Sequence, residues 1–325
     1  MGKMNWTEKK VLITGASGIV GSWLTKRLLE LGAEVTIYLR DFVPRSYLID
    51  SGALNRVNAV NGKLEDYFNV ERTLNEYEID TVFHLGAQTI VETANRSPLG
   101  TFESNIKGTW TILEACRNSK LVTNTIVASS DKAYGEQKQL PYTEDMPLIG
   151  KHPYDVSKSC SDLIAQSYHD TYNMPIAIAR CGNVFGGGDL NFNRIVPGTI
   201  KSFLENKSPI IRSDGMYKRD YFYVKDAAES YITLAENASR KGVKGNSFNF
   251  GNEKPLAVLD IVGKIAKIMS KQSIKPKILN IAKNEIKNQY LSCVKAKKQL
   301  NWKPKYTIDE GLRETIDWYK NFFKK

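Results

Sequence analysis

A glycine-rich turn near the start of the chain joins a short apolar run to an amphipathic stretch. Residues 11–14 form the run, the turn reads Thr-Gly-Ala-Ser-Gly-Ile-Val-Gly over 14–21, and a helical pattern covers 23–31. In this order, a glycine turn lets the backbone approach a pyrophosphate, which then lies at the positive end of a helix dipole. The pattern predicts a dinucleotide site, with a plain tight turn as the alternative.

The alternation of apolar runs and helical patterns continues through the first half of the chain. Further runs occupy residues 34–39, 81–85, 124–129 and 176–180, and helical patterns such as 108–117 separate them. This alternation predicts an α/β fold, a Rossmann-type doubly wound parallel sheet with a smaller α/β C-terminal substrate domain. We expect residues 1–182, with a returning segment near 219–250, to form the dinucleotide-binding domain and residues 183–325 to bind the substrate.

The end of the second predicted strand bears on the choice of cofactor. Asp41 lies about 20 residues beyond the glycine turn, where an acidic side chain commonly binds the ribose 2′-hydroxyl of NAD. Arg40 precedes it and could instead hold the 2′-phosphate of NADP. The sequence therefore favours NAD and leaves NADP open.

Tyr154 and Lys158 are one helical turn apart and lie on one face of a predicted helix. A tyrosine with its ordinary pKa of about 10 is a weak base, and a nearby cation favours the phenolate. We therefore expect the pair to exchange a proton with a substrate hydroxyl. Taken alone, the same spacing also arises by chance on many helices.

Charge and composition exclude several classes of function. The formal net charge is +11 at pH 7, but the lysines are spread along the chain without interleaved aromatic residues, so we predict an anionic small-molecule substrate and no nucleic-acid partner. The sequence contains no run of about 18 apolar residues, so it predicts no membrane span. The four cysteines and three histidines are scattered, which predicts no metal site and a reducing, cytoplasmic location.

Further motifs resemble the NAD-dependent epimerase/dehydratase family of extended short-chain dehydrogenases/reductases. Besides the glycine turn and the segment YDVSK at 154–158, they are FHLGAQ at 83–88, NIKGT at 105–109, SSDKAYG at 129–135, RCGNVFGGGD at 180–189, RDYFYVKDAA at 219–228 and NWKP at 301–304. The resemblance covers nearly the whole chain. It implies an enzyme that binds NAD tightly and acts on a nucleotide sugar, and by analogy a homodimer formed through the helices at 108–117 and 154–172.

The resemblance also implies which residues bind the cofactor and the substrate. The cofactor-binding residues are Gly15, Ser17, Gly18, Ile19, Val20, Gly21, Asp41, Asp66, Leu85, Gly86, Ala87, Asn105, Tyr154 and Lys158. The substrate-binding residues are Gln88, Asn183, Arg194 and Arg219, with the nucleotide base near 193–197. Arginine suits a diphosphate because its donors form a fixed fork.

The sequence departs from the family pattern at two positions. Lys63 stands where an aspartate usually lies near the adenine, so we expect adenine recognition to be weaker or differently arranged, with Asp66 in its usual place. Gly86 replaces an alanine, which leaves room beside the cofactor.

The triplet Ser130-Asp131-Lys132 separates two activities within the family. The match is greatest to 4,6-dehydratases that act on CDP-glucose, whereas 4-epimerases usually have small uncharged residues in place of Asp131 and Lys132. For dehydration, Lys132 would remove the proton on carbon 5, Asp131 would protonate the departing 6-hydroxyl, and Ser130 would hold the 4-oxygen toward Tyr154.

Two other functions stay open at this point. One is a nucleotide-sugar 4-epimerase, such as a UDP-glucose 4-epimerase, for which Tyr154 and Lys158 suffice. The other is a non-catalytic nucleotide-binding protein on the same fold. Cytosine rests on the resemblance alone, so guanine, uracil and thymine also remain as bases.

Overall fold

The fold is built on parallel strands with helices packed on both faces. The computed structural model describes residues 4–282 and 285–324. The strands are β1 (Lys10–Thr14), β2 (Glu34–Leu39), β3 (Asn58–Asn61), β4 (Thr81–His84), β5 (Asn124–Ala128), β6 (Ile176–Cys181), β7 (Asn183–Phe185), β8 (Ile210–Ile211), β9 (Lys218–Arg219), β10 (Tyr221–Tyr223), β11 (Ser247–Phe250), β12 (Leu256–Ala257), β13 (Lys277–Ile278) and β14 (Asn288–Gln289).

Helices separate most of these strands. They are α1 (Ile19–Glu30), α2 (Tyr47–Asp50), α3 (Tyr67–Glu76), α4 (Val91–Arg96), α5 (Pro98–Phe102), α6 (Gly108–Asn118), α7 (Pro153–Tyr172), α8 (Ile195–Leu204), α9 (Val224–Asn237), α10 (Val258–Ile268), α11 (Val294–Leu300) and α12 (Ile308–Phe322). Short 3-10 turns occupy Trp6–Glu8, Ala53–Arg56 and Asp131–Tyr134, and a π turn at Glu103–Lys107 lies between α5 and α6. Within the described residues, no helix combines the length and the apolar character that a membrane crossing requires.

The central sheet has seven parallel strands in the order β11-β6-β5-β4-β1-β2-β3. This order confirms the predicted doubly wound α/β fold, and the five strands expected from the sequence are β1, β2, β4, β5 and β6. The prediction missed β3 and β11. In β3 only Val60 is buried, because the strand lies at the sheet edge, so its apolar pattern is too weak to recognise.

Alternation along each central strand directs side chains into two separate cores. Val11 and Ile13 face a core formed with α1, α9, α10 and α12, whereas Leu12 faces a core formed with α3, α6 and α7. Successive side chains of a strand point to opposite faces, so both faces of β1 are covered. The helix α9 packs against α1, and β11 returns to pair with β6. The remaining strands form small sheets, β7 with β10, β9 with β12 and β14, and β8 with β13.

A buried ion pair fixes α7 against β6. Arg180 Nε donates to Asp162 Oδ2 at 2.8 Å, and both side chains are almost completely buried. Arg180 Nη1 also donates to Tyr134 Oη at 2.9 Å and to the Glu144 carbonyl at 3.1 Å. The pair therefore joins a strand, a helix and the end of the 131–134 turn at one point.

Removal of the carboxylate should destabilise the protein strongly. Asp162→Ala leaves the Arg180 guanidinium buried without its partner, which costs about 3–5 kcal/mol of unfolding free energy. Urea denaturation measures that loss directly. The matched control is Asp317→Ala, which removes an exposed partner of Lys320 and should change stability by at most about 0.5 kcal/mol. Equal effects of the two substitutions would contradict this description of the pair.

Candidate active site

The glycine turn has the geometry of a pyrophosphate-binding turn. Gly15 adopts φ +74°, and a Cβ atom there would lie 2.8 Å from the backbone nitrogen of Gly86. A Cβ on Gly21 would lie 2.2 Å from the Gly15 carbonyl oxygen. At the N-cap of α1, Gly18 provides no side-chain acceptor, so the first N–H groups of the helix can bind an anion. The turn thus fits the dinucleotide expected from the sequence.

A groove runs from this turn along the carboxyl ends of β1, β2 and β4. Among the residues predicted to bind the cofactor, its lining includes Gly15, Ser17, Asp41, Gly86 and Ala87. Ile19, Val20 and Gly21 open α1, and Leu85 directly follows β4. Arg40 Nε donates to Asp41 Oδ2 at 2.6 Å, and both side chains are largely exposed. The acidic and basic groups that bear on NAD or NADP therefore lie together at this rim.

The segment after β3, which carries the departure from the family's adenine motif, borders the same groove. Asp66 caps α3 by accepting a hydrogen bond from Asn69 N at 3.1 Å, whereas Leu64 and Glu65 line the groove. Lys63 is exposed, and its carbonyl accepts a hydrogen bond from Tyr38 Oη at 3.1 Å. Glu65 is a carboxylate that the sequence analysis did not single out, although it lies inside the altered motif.

Asn105 joins the loop after β4 to the helix that carries Tyr154. Its Oδ1 accepts from Gln88 N at 2.6 Å, and its Nδ2 donates to the Gln88 carbonyl at 3.0 Å and to Ser157 Oγ at 2.9 Å. Asn105 lies in the π turn, which redirects it from the regular helical path. Asn105 and Gln88 therefore hold the loop after β4 against α7, in addition to the cofactor and substrate binding expected of them.

A second buried network, missed by the sequence analysis, centres on His84. Thr14 Oγ1 accepts from Gly86 N and lies 2.9 Å from His84 Nδ1. Thr109 Oγ1 lies 3.0 Å from His84 Nε2 and donates its proton to the Asn105 carbonyl at 2.6 Å. Burial lowers the His84 pKa to about 3, so the ring is neutral. The motif FHLGAQ contains this residue, but its role depends on contacts across β1 and α6.

Tyr154 and Lys158 are both buried on the first turns of α7. Lys158 Nζ donates to the Ala128 carbonyl at the end of β5, at 2.8 Å. Burial lowers the Lys158 pKa to about 8. Burial also raises the Tyr154 pKa to about 12, although a hydrogen bond with Ser130 acts in the opposite direction.

The charge effect expected at Tyr154 is therefore not the dominant one in this structure. Loss of water around a phenol disfavours its charged form, and that loss outweighs the nearby positive groups. Arg194 lowers the Tyr154 pKa, but to a smaller extent than burial raises it. Tyr154 is a neutral phenol in the protein at neutral pH.

The segment Ser130-Asp131-Lys132, called the acid–base turn after the roles predicted from the sequence, begins two residues after the end of β5. Ser130 caps its 3-10 turn, and its Oγ donates to Asp131 Oδ1 at 3.1 Å. Burial raises the Asp131 pKa and lowers the Lys132 pKa. Both shifts favour the neutral forms, which are a carboxylic acid that can donate a proton and an amine that can accept one.

Three of the predicted substrate residues, Asn183, Arg194 and Arg219, come from the second half of the chain. Arg219 is buried and donates from Nη1 to the Lys287 carbonyl at 2.9 Å, with Glu285 forming an ion pair at 3.5 Å. Its charge lowers the pKa values of both Asp131 and Lys132.

Arg194 donates to Asp189 Oδ2 at 2.8 Å and to the Val184 carbonyl at 2.7 Å. Asn183 lies on β7, where its backbone N–H donates to the Asp220 carbonyl. Among the described residues, no cluster of three or more His, Cys, Asp or Glu side chains could hold a metal ion.

The buried ammonium of Lys158 should destabilise the folded protein in a pH-dependent way. The folded-state pKa of about 8 lies below the ordinary 10.5, so the cost of burying the charge is complete below pH 8 and disappears as pH rises to 10.5. Lys158→Met removes this cost. It should raise the free energy of unfolding at neutral pH, by roughly 2 kcal/mol, and the gain should shrink between pH 8 and 10.5.

Urea denaturation over that pH range tests the prediction, with the exposed-residue variant Lys241→Met as the control. A difference between Lys158→Met and the unmodified protein that stays constant with pH would show that the ammonium carries no such cost.

Comparisons with known proteins identify the family of the chain. A family model described as GDP-mannose 4,6 dehydratase matches residues 12–315. The CDP-glucose 4,6-dehydratase of Salmonella typhimurium is 29% identical, over 98% of this chain and 92% of that protein. The UDP-glucose 4-epimerase of Thermotoga maritima has a TM-score of 0.88 at 25% identity, over 97% of this chain and 99% of that one.

A further solved structure carries a cofactor. The UDP-glucuronic acid 4-epimerase of Bacillus cereus, in complex with UDP-glucuronic acid and NAD, has a TM-score of 0.86 at 27% identity, over 96% of this chain and 99% of that one. Because the family model spans almost the whole chain, the resemblance drawn from the motifs is confirmed. The protein belongs to the GDP-mannose 4,6 dehydratase family of NAD-dependent epimerases and dehydratases.

Proposed function

We propose that the protein is a nucleotide-sugar 4,6-dehydratase that converts CDP-glucose to CDP-4-dehydro-6-deoxyglucose. The observation that carries this proposal is the acid–base turn. In this turn Asp131 and Lys132 are consecutive residues just beyond β5. Burial shifts the pKa of each in the direction that favours its neutral form. An epimerase needs neither group, whereas elimination of water needs both an acid and a base.

The cofactor is NAD, and the glycine turn and the Asp41 rim fit it. When bound, NAD would supply a hydride acceptor for carbon 4 and a hydride donor for carbon 6. The residues that would hold it are those of the turn and the groove, with Asn105 fixing the Gln88 loop. The overall reaction is redox-neutral and releases one water molecule.

The first step is oxidation of the 4-hydroxyl group. Tyr154 would take the hydroxyl proton, and Ser130, which shares a hydrogen bond with Tyr154, would orient the 4-oxygen. With a pKa of about 12, Tyr154 would act as a base near neutral pH only if further positive charge lowered that pKa. Lys158, held one helical turn away by the Ala128 carbonyl, would provide part of that charge.

The second step is elimination across carbons 5 and 6. A ketone at carbon 4 acidifies the proton on carbon 5, and the neutral amine of Lys132 would remove it. Asp131, protonated, would give its proton to the 6-hydroxyl, which leaves as water while a carbon–carbon double bond forms. Return of hydride to carbon 6 and of the proton held by Lys132 to carbon 5 would complete the product, and passage of the Tyr154 proton back to Asp131 would restore both groups.

Support for cytosine comes from the Salmonella enzyme alone. Arg219 and Arg194 would bind the diphosphate, with the base near residues 193–197 and Asn183 near the sugar. We also propose a homodimer through α6 and α7, because Trp110, Leu163 and Tyr172 on these helices are exposed. A cytoplasmic location stays a prediction.

The Asp131→Asn variant tests the proposed acid. The amide cannot donate a proton to the leaving hydroxyl, so water loss from CDP-glucose should slow by about 10²–10⁴-fold. Lys132 can still remove the proton on carbon 5. In deuterated water, CDP-glucose recovered from the variant should therefore gain deuterium, and reduced nicotinamide should accumulate on the enzyme.

The matched control is Asp145→Asn, at an exposed aspartate beyond the turn, which should behave as the unmodified protein. Undiminished water loss in Asp131→Asn would remove Asp131 from the role of acid. Retention of mass with a changed configuration at carbon 4 in the unmodified protein would select the epimerase, which the similarity to the Thermotoga enzyme also accommodates.

A further inference from the structure

Gln289 connects the acid–base turn to the second half of the chain. Its side chain is fully buried, and its Nε2 donates to the Asp131 carbonyl at 2.8 Å across 158 residues of sequence. The contact is therefore purely tertiary. No motif in the sequence analysis includes this residue.

The backbone at Gln289 and just after it is held on two sides. In the parallel pairing of β14 with β9, Gln289 lies opposite Arg219, the residue proposed to bind the diphosphate. On the other side, Tyr142 N donates to the Tyr290 carbonyl at 2.9 Å, and Ser292 N donates to the Tyr142 carbonyl at 2.8 Å. A glutamine anchored in this way can act as a rigid support for the group that it contacts.

The same buried region holds two unused acceptor atoms. Gln289 Oε1 and Asp131 Oδ2 are both inaccessible to solvent, and neither has a hydrogen-bond partner among the described residues. Buried polar atoms without partners are costly and are retained where function requires them. A leucine would fill a similar volume without burying a free amide oxygen, so packing alone does not account for a glutamine at this position.

We propose that Gln289 is a positioning residue for the elimination step. Its hydrogen bond to the Asp131 carbonyl holds the acid–base turn in register with Arg219, so that a sugar bound through its diphosphate meets the acid at a fixed place. The proposal rests on the proposed dehydration. It goes beyond that function because it assigns to one amide the coupling between diphosphate binding at Arg219 and the position of Asp131.

Gln289→Leu in the NAD-loaded enzyme tests the coupling. Loss of the hydrogen bond lets the turn shift, and a displacement of about 1 Å at a reacting group costs up to about 100-fold in rate. We expect kcat for water loss to fall about 10- to 100-fold with little change in KM. Reduced nicotinamide should accumulate, because oxidation precedes the impaired step.

The matched control is Asn288→Leu, on the same strand but exposed. It should retain the kcat of the unmodified protein. Binding of CDP to the NAD-loaded enzyme should be equal in both variants. A parallel loss of CDP affinity and kcat in Gln289→Leu would show that the residue only supports the strand, and would overturn the proposal.

Gln289→Glu gives a second and independent readout, also if the leucine variant does not fold. A protonated glutamic acid can donate to the Asp131 carbonyl, whereas a carboxylate cannot. The ratio of kcat for Gln289→Glu to kcat for the unmodified protein should therefore rise as pH falls. A ratio independent of pH, or undiminished kcat in Gln289→Leu, would overturn the proposal. Failure of the unmodified protein to release water would instead overturn the proposed function, so the two failures are distinct.

Discussion

The carboxyl ends of β1, β4 and β5 lie side by side, and the proposed chemistry depends on that edge. In a parallel sheet, the segments that follow neighbouring strands emerge together, so the glycine turn, the Gln88 loop and the acid–base turn meet without any further device. The Arg180–Asp162 pair then fixes α7, which brings Tyr154 and Lys158 to the same edge. Asn105 ties that helix to the Gln88 loop, so the cofactor and proton-transfer regions form one connected unit.

In the proposed mechanism, burial prepares two side chains at this edge for proton transfer. Asp131 and Lys132 lose water, and the pKa of each shifts in the direction that favours its neutral form. Exposed groups of the same types would be charged at neutral pH, an ammonium could not act as a base and a carboxylate could not act as an acid. Burial of such groups costs stability, and the two hydrophobic cores offset that cost.

The sequence was sufficient for the fold class and for the segments that meet at the site. Its strongest signals were local, namely the glycine turn, the YDVSK spacing and the triplet at 130–132. Each of these is a pattern of residues that lie close together in the sequence. The roles that it missed depend on contacts between distant segments. His84 acts through Thr14 and Thr109, and Gln289 acts through a strand of two residues that has no periodicity to recognise.

The pKa shifts at the site also could not be predicted from the sequence. The spacing of Tyr154 and Lys158 suggested an ammonium that favours the phenolate, but the effect of burial on each group could be seen only in the folded protein. The altered adenine motif is a similar case, since Asp66 caps a helix and Glu65 lines the groove.

We propose that the buried Asp131 and the half-buried Lys132 make this protein a dehydratase. The most direct test is to incubate the purified, NAD-loaded protein separately with CDP-glucose and with the GDP-, UDP- and TDP-sugars, and to measure product mass. We expect loss of one water from CDP-glucose. An unchanged mass with every nucleotide sugar would contradict the proposed dehydration.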